Sequence, residues 1–148
     1  RDDLTRTMQI NVWANVTVLN RIFVQPRDVT QVVAISSGAS VNGNRGWSGY
    51  SISKSALNMM VRLYSREQTD THFCALAPGL VDTAMQDELC GQQLDDRFPA
   101  IEVLRSKRQT PEMPDPTQAA VLLANAMARL PAIVESGEYA DVRSLSCD

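Results

Sequence analysis

The 148 residues are 44% hydrophobic and 21% charged, values of one globular domain large enough to bury its own core. The formal net charge of −3 offers no basic field for nucleic acid or an anionic membrane, and the densest basic cluster, Arg105, Lys107 and Arg108, is too short for a binding stripe. No apolar run approaches the ~18 residues that span a bilayer, and Cys74, Cys90 and Cys147 lack the count and spacing of a disulfide framework or zinc site, which suits a reducing cytosol.

The start, Arg1-Asp2-Asp3-Leu4, is neither a signal peptide nor a usual initiator and reads as a chain cut mid-domain. Leu4, Met8, Val12, Val16, Leu19 and Phe23 then recur at helical spacing, with Asp2 or Asp3 as the cap. Several of the residues between are β-branched, but the sustained stripe favours a helix that ends near Gln25-Pro26. Asn15-Val16-Thr17 matches a glycosylation acceptor, a triplet that arises by chance and has no secretory context here.

"QVVAISS", residues 31–37, is a continuous apolar run ending in two serines, the pattern of a buried parallel strand. The glycine-rich stretch 38–49 reads as a loop. From Tyr50 to about Gln68 the pattern is helical and apolar on several faces, so that one face meets a sheet and another a partner subunit. "HFCALAPG", residues 72–79, is a second buried strand, and His72, without a partner His or Cys, is a strand-edge residue and not a metal ligand. Residues 83–110 are mixed and charged and read as mobile short helices. Asp115, Pro116 and Gln118 supply an N-cap, a first-turn proline and a capping-box glutamine. Ala119, Leu122, Leu123, Ala126, Met127 and Leu130 form the stripe behind them, and residues 137–143 make a last strand. The alternation is that of a doubly wound α/β domain with a parallel sheet.

The chemistry centres on "YSISK". Tyr50 and Lys54, four apart on a helix, share one face with Cβ atoms ~5–6 Å apart. A free phenol titrates near ~10; an adjacent ammonium and a helix N-terminus both favour its ionised form. Such a phenol can protonate a nascent alkoxide or deprotonate an alcohol. Ser37, at the end of the preceding strand, lies where open α/β sheets bind ligands and can orient a carbonyl oxygen. Three rival motifs fail at specific residues. Ser51-Ile52-Ser53-Lys54 fits S-x-x-K without the companion S-D-N and K-T-G. Gly46 to Tyr50 ends in tyrosine where the hydrolase elbow needs glycine, and Gly38 to Arg45 lacks the lysine of a phosphate-binding loop.

A strand ending in "ISS", then "YSISK", then a strand leading into "APGLVDTAM", resembles the C-terminal half of the short-chain dehydrogenase/reductase family over almost the whole chain. The family's catalytic serine lies thirteen positions before its tyrosine, which selects Ser37 over Ser36. Its asparagine falls on Asn11 in "QINVW", where it distorts the helix so that a backbone carbonyl holds a water leading to the lysine. Pro78, Gly79, Val81 and Thr83 match the stretch that contacts the nicotinamide and its neighbouring phosphate, and Tyr50 and Lys54 also contact the cofactor. "GWSGYSISKSALNMM" and "PGLVDTAMQ" are most similar to the benzil reductase and sepiapterin reductase branch, which reduces carbonyls beside a second carbonyl with NADPH.

The resemblance implies a Rossmann-type fold from which the N-terminal βαβαβ half, roughly 80–100 residues, is absent. It implies NADP, with NAD the alternative, since the glycine-rich turn and the residue that separates the two belong to that half. It further implies a cytoplasmic carbonyl reductase that assembles as a homodimer or homotetramer and binds a small carbonyl substrate, with no metal. Residues 1–148 form one partial domain, within which 84–110 is the substrate lid. The 148 residues alone are expected to be inactive, with one strand edge bare. The alternative is a binding or assembly protein that keeps the fold without the chemistry.

Overall fold

Six residues, His72–Ala77, form the strand on which everything else is built, and all but His72 are buried. The structure, a computed structural model, describes residues 2–25, 28–91, 93 and 95–145. In chain order it holds helix α1 (Asp2–Met8), a π-helical turn (Gln9–Trp13), α2 (Ala14–Phe23), strand β1 (Gln31–Ile35), a 3-10 turn (Gly38–Ser40) and α3 (Ser48–Glu67). β2 (His72–Ala77), α4 (Ala84–Cys90), α5 (Pro99–Lys107), α6 (Pro116–Ile133), β3 (Glu138–Asp141) and a 3-10 turn (Val142–Ser144) follow.

The three strands are parallel in the order β1-β2-β3, with Gln31 beside His72 and Cys74 beside Glu138. Successive side chains of a strand point to opposite faces, and β2 uses both. Phe73 and Ala75 join Leu57, Met60 and Val61 of α3 and Leu19 of α2 in one core. Cys74 and Leu76 join Leu130 of α6 and Ala140 of β3 in the other. Both crossovers, β1-α3-β2 and β2-α6-β3, step in the same direction across the sheet yet lie on opposite faces. They are therefore of opposite hand, and one departs from the right-handed rule that governs about 98% of such connections.

Local chemistry explains the element ends. Asp115 Oδ1 accepts from the backbone of Thr117 and Gln118 at 2.7 and 3.0 Å, and Gln118 Oε1 accepts from the Asp115 N–H, so the expected capping box closes. Along α6 the stripe is narrower than its sequence suggests. Ala119, Ala126 and Leu130 are buried, whereas Leu122 is 52% exposed because the sheet-facing side runs through Leu123. The first helix breaks its α pattern at Gln9–Trp13, where the Ala14 N–H reaches back to the Gln9 carbonyl. Asp2 and Asp3 sit inside α1, and the Asp2 side chain expected as its cap lies outside the described residues, as do Pro26 and Cys147.

β1 is less buried than its apolar run implies. Only Ala34 is fully covered and Ile35 is 45% exposed, because β2 flanks the strand on one side alone among the described residues. His72 hydrogen-bonds through Nε2 to the Val134 carbonyl, and Cys74 and Cys90 are free thiols. No described helix is long and apolar enough to cross a membrane.

Candidate active site

Ser36 and Ser37, consecutive at the C-terminal end of β1, have opposite fates. Ser36 is buried and its Oγ donates to Asn58 Oδ1. Asn58 Nδ2 in turn donates to Ser40 Oγ at 2.8 Å, and Ser40 Oγ donates to the Ser37 carbonyl at 2.7 Å. Ser55 Oγ adds a 2.6 Å bond to the Ser40 carbonyl. This network ties the 36–40 turn to α3. Ser37 itself is extended, caps the 3-10 turn, and its Oγ accepts from the Ala39 N–H at 3.1 Å. The oxygen is thereby engaged as an acceptor, and the hydroxyl proton is left for another group.

Tyr50 and Lys54 lie on the first two turns of α3, with Lys54 Nζ 5.9 Å from the Tyr50 ring centroid. Trp47 meets the same ring edge-on, at 6.1 Å and 70°. Lys54 Nζ donates to the Ile35 carbonyl at 2.8 Å. In a parallel ladder alternate residues bond to one side, and here the Thr30 carbonyl and Ser36 N–H face β2, so the Ile35 carbonyl faces the open edge. Partial burial pushes the Lys54 ammonium below the usual lysine range. Asn11, in the π-helical turn, donates from Nδ2 to Ser53 Oγ at 3.0 Å, and Ser53 Oγ donates to the Tyr50 carbonyl at 2.7 Å. Asn11 thus reaches the tyrosine's turn through Ser53. Its own carbonyl accepts from Asn15 Nδ2 at 3.0 Å.

At the exit of β2, Gly79 takes φ +76°, a conformation that disfavours a side chain, and a Cβ there would come within 3.3 Å of Arg143 Cδ. The Arg143 side chain runs across Gly79 towards Gly38, where a Cβ would be 3.7 Å from its Nη2. Asp141 holds the guanidinium with bonds of 2.9 and 2.6 Å. A cavity of about 390 Å³ opens here, walled by Ser37 and Gly38, the Asn42–Trp47 loop, Gly79 and Leu80, and α5. Of the expected site residues, Ser37 and Gly79 line it. Tyr50 adjoins it through Trp47 and lies with Lys54 and Asn11 on the neighbouring helical turns, while Pro78, Val81 and Thr83 follow β2 without forming its wall. Thr83 stands at the N-cap of α4 with no side-chain capping bond.

Ser53, Asn58 and Arg143 have roles that sequence reasoning did not assign. Ser53 and Asn58 carried a signal: each is a polar residue interrupting the apolar stripe of α3, at positions that turned out buried or half-buried. Arg143 carried none, because its place depends on β3 lying beside β2. Among the described residues no group of three or more His, Cys, Asp or Glu is placed to hold a metal ion.

A family model described as short chain dehydrogenase matches residues 1–93. Benzil reductase ((S)-benzoin forming) of Bacillus subtilis (strain 168) is 31% identical over 149 residues, covering 96% of this chain and 60% of that protein. Sepiapterin reductase of Xenopus laevis is 31% identical over 98 residues, 64% of this chain and 37% of that protein. Among solved structures, the KRED1-Pglu enzyme matches with a TM-score of 0.81 at 24% identity, over 94% of this chain and 59% of its own, a likeness of fold. The chain spans about 60% of the length of the Bacillus relative, with 96% of its own residues in the match.

Proposed function

The chain belongs to the short-chain dehydrogenase family, and from that premise we propose that it is the catalytic part of an NADPH-dependent carbonyl reductase acting on a carbonyl beside a second carbonyl. The observation that carries the reading is the Ser37 hydroxyl on the cavity wall, its oxygen held by the Ala39 N–H, beside a helical turn that pairs Tyr50 with Lys54. The likeness to a benzil reductase over 96% of the chain supports the dicarbonyl substrate.

The residues present fit the nicotinamide–ribose end of the cofactor. After its bond to the Ile35 carbonyl, Lys54 keeps two N–H donors for a ribose diol, and Gly79 turns the backbone away from the strand end. The 148 residues contain no glycine-rich turn for the pyrophosphate, so NADP rests on the family branch. When bound, the nicotinamide supplies a hydride to the carbonyl carbon. The Ser37 O–H donates a hydrogen bond to the carbonyl oxygen and fixes its position. The Tyr50 O–H gives that oxygen its proton as charge develops, with the Lys54 ammonium beside the ring. Asn11 and Ser53 hold the Tyr50 turn in place.

Replacing Tyr50 by Phe in the full-length protein tests the mechanism. A lost acid costs about 10²–10⁴-fold in kcat, and carbonyl reduction is expected to fall by that factor with the thermal midpoint unchanged. Substantial NADPH-dependent turnover by the variant would overturn the assignment.

A further inference from the structure

The cavity beside Ser37 has an apolar side, formed by Leu80, Pro99, Val103 and Leu104, and cations elsewhere on its wall. Arg45, Lys107 and Arg143 all line it, and among the described residues no carboxylate does, although the chain as a whole carries a net charge of −3. Two of these cations have partners outside the wall. Lys107 pairs with Glu112 at 2.7 Å and Arg143 with Asp141 at 2.6 Å. Arg45 is different: no carboxylate pairs with it among the described residues, and its guanidinium stands 6.0 Å from the Phe98 ring centroid. Arg45 is exposed, and the loop that carries it packs on Phe98. Gly46 next to it has φ +89°, and any Cβ there would meet the Phe98 ring at 2.7 Å, so ring and loop are in close contact. Asn42 and Asn44 add carboxamide N–H donors to the same wall.

We infer that this cavity is an anion subsite, and that the substrate is a ketone bearing a carboxylate next to the reacting carbonyl, held by Arg45 with Lys107 and Arg143 supporting. The inference deepens the proposed carbonyl reductase and rests on that reading for the word substrate. A 2-oxo acid supplies both features at once: its second carbonyl is that of the carboxylate. A guanidinium fork fits a carboxylate in a bidentate geometry, and a concave wall of one sign raises the local concentration of the opposite charge. A neutral diketone would leave Arg45 without an anionic partner.

Calorimetric titration of the full-length protein with phenylglyoxylate and with its neutral methyl ester separates the possibilities. We expect the anion to bind about 10- to 100-fold tighter than the ester, the range of a charge-assisted hydrogen-bond pair, and the preference to shrink as salt is raised. Arg45→Gln should abolish most of the preference without altering ester binding, and Arg45→Lys should restore part of it. Equal binding of acid and ester by the wild type, or an unchanged preference in Arg45→Gln, would overturn the inference. Reduction of both compounds with NADPH is read in parallel. An anion preference without turnover of either compound would overturn the reductase reading and leave the subsite standing. Turnover of the ester with no preference for the acid would do the reverse.

Discussion

Lys54 is a residue of the proposed site whose titration responds to burial. Its ammonium is partly buried, which penalises the charged form and lowers its pKa from 10.5. The folded chain therefore holds that proton less tightly than the unfolded chain. The stability penalty is complete at pH values below the folded pKa and gone above 10.5, so this group makes stability rise with pH between the two. Activity has the opposite sign, because losing the proton removes the Lys54 ammonium that we propose holds the cofactor ribose. An NMR titration of isotope-labelled Lys54 should give a midpoint below 10.5. A midpoint at or above it would show that the Ile35 carbonyl and local water compensate for burial.

Two features at the scale of elements bear on the proposed function. The π-helical turn at Gln9–Trp13 brings the Asn11 side chain to Ser53, and a regular turn would shift every later residue of that helix around its axis. The second device is the clamp on the segment from 84 to 110, which we propose as the lid. Arg108 donates to Asp82 at 3.0 and 2.6 Å and to Asp87 at 2.6 Å, and the Asp82 N–H donates to the Pro114 carbonyl at 3.0 Å. Both ends of the segment are thus held together at the exit of β2. Ion pairs that keep contact with solvent add little to global stability, and both Arg108 and Asp82 stay partly exposed, so Arg108→Gln should leave the unfolding midpoint nearly unchanged. Hydrogen exchange across 84–110 should nevertheless accelerate several-fold as the clamp opens. Identical exchange in variant and wild type would mean that α4 and α5 are held by packing alone.

For the whole molecule, the surface between the first helices and α3 is apolar and open to solvent. Trp13, Met59 and Leu63 are 52%, 53% and 50% exposed and border an apolar groove of about 410 Å³. Contiguous apolar patches of this kind mark interfaces. We propose that a second copy covers it, with the same surfaces of both copies in contact about a two-fold axis. Light scattering of the full-length protein at micromolar concentration is expected to give a dimer or tetramer, and Leu63→Lys to shift it towards monomer. A wild type that is monomeric under these conditions would refute the interface.

Much of this molecule is written locally. The capping box at Asp115, the helical stripe of α3 and the buried run of β2 follow from residues a few positions apart, and so they were legible before any fold was known. The Tyr50–Lys54 pair was legible for the same reason, since one helical turn brings the two side chains together. Ser37 needed one step more, its placement at a strand end. What the sequence could not express is which distant segments share a face. An apolar stripe states that a helix is covered and is silent on what covers it, so the packing of Leu123 against the sheet while Leu122 stays exposed, and the opposite faces taken by α3 and α6, emerged only on folding. The same holds for Arg143, which reaches Gly38 across Gly79 only because β3 docks beside β2. Local chemistry determined the elements and the pairing of Tyr50 with Lys54; the wall of the cavity was decided by long-range packing, because its charges come from three segments that meet only in the folded chain.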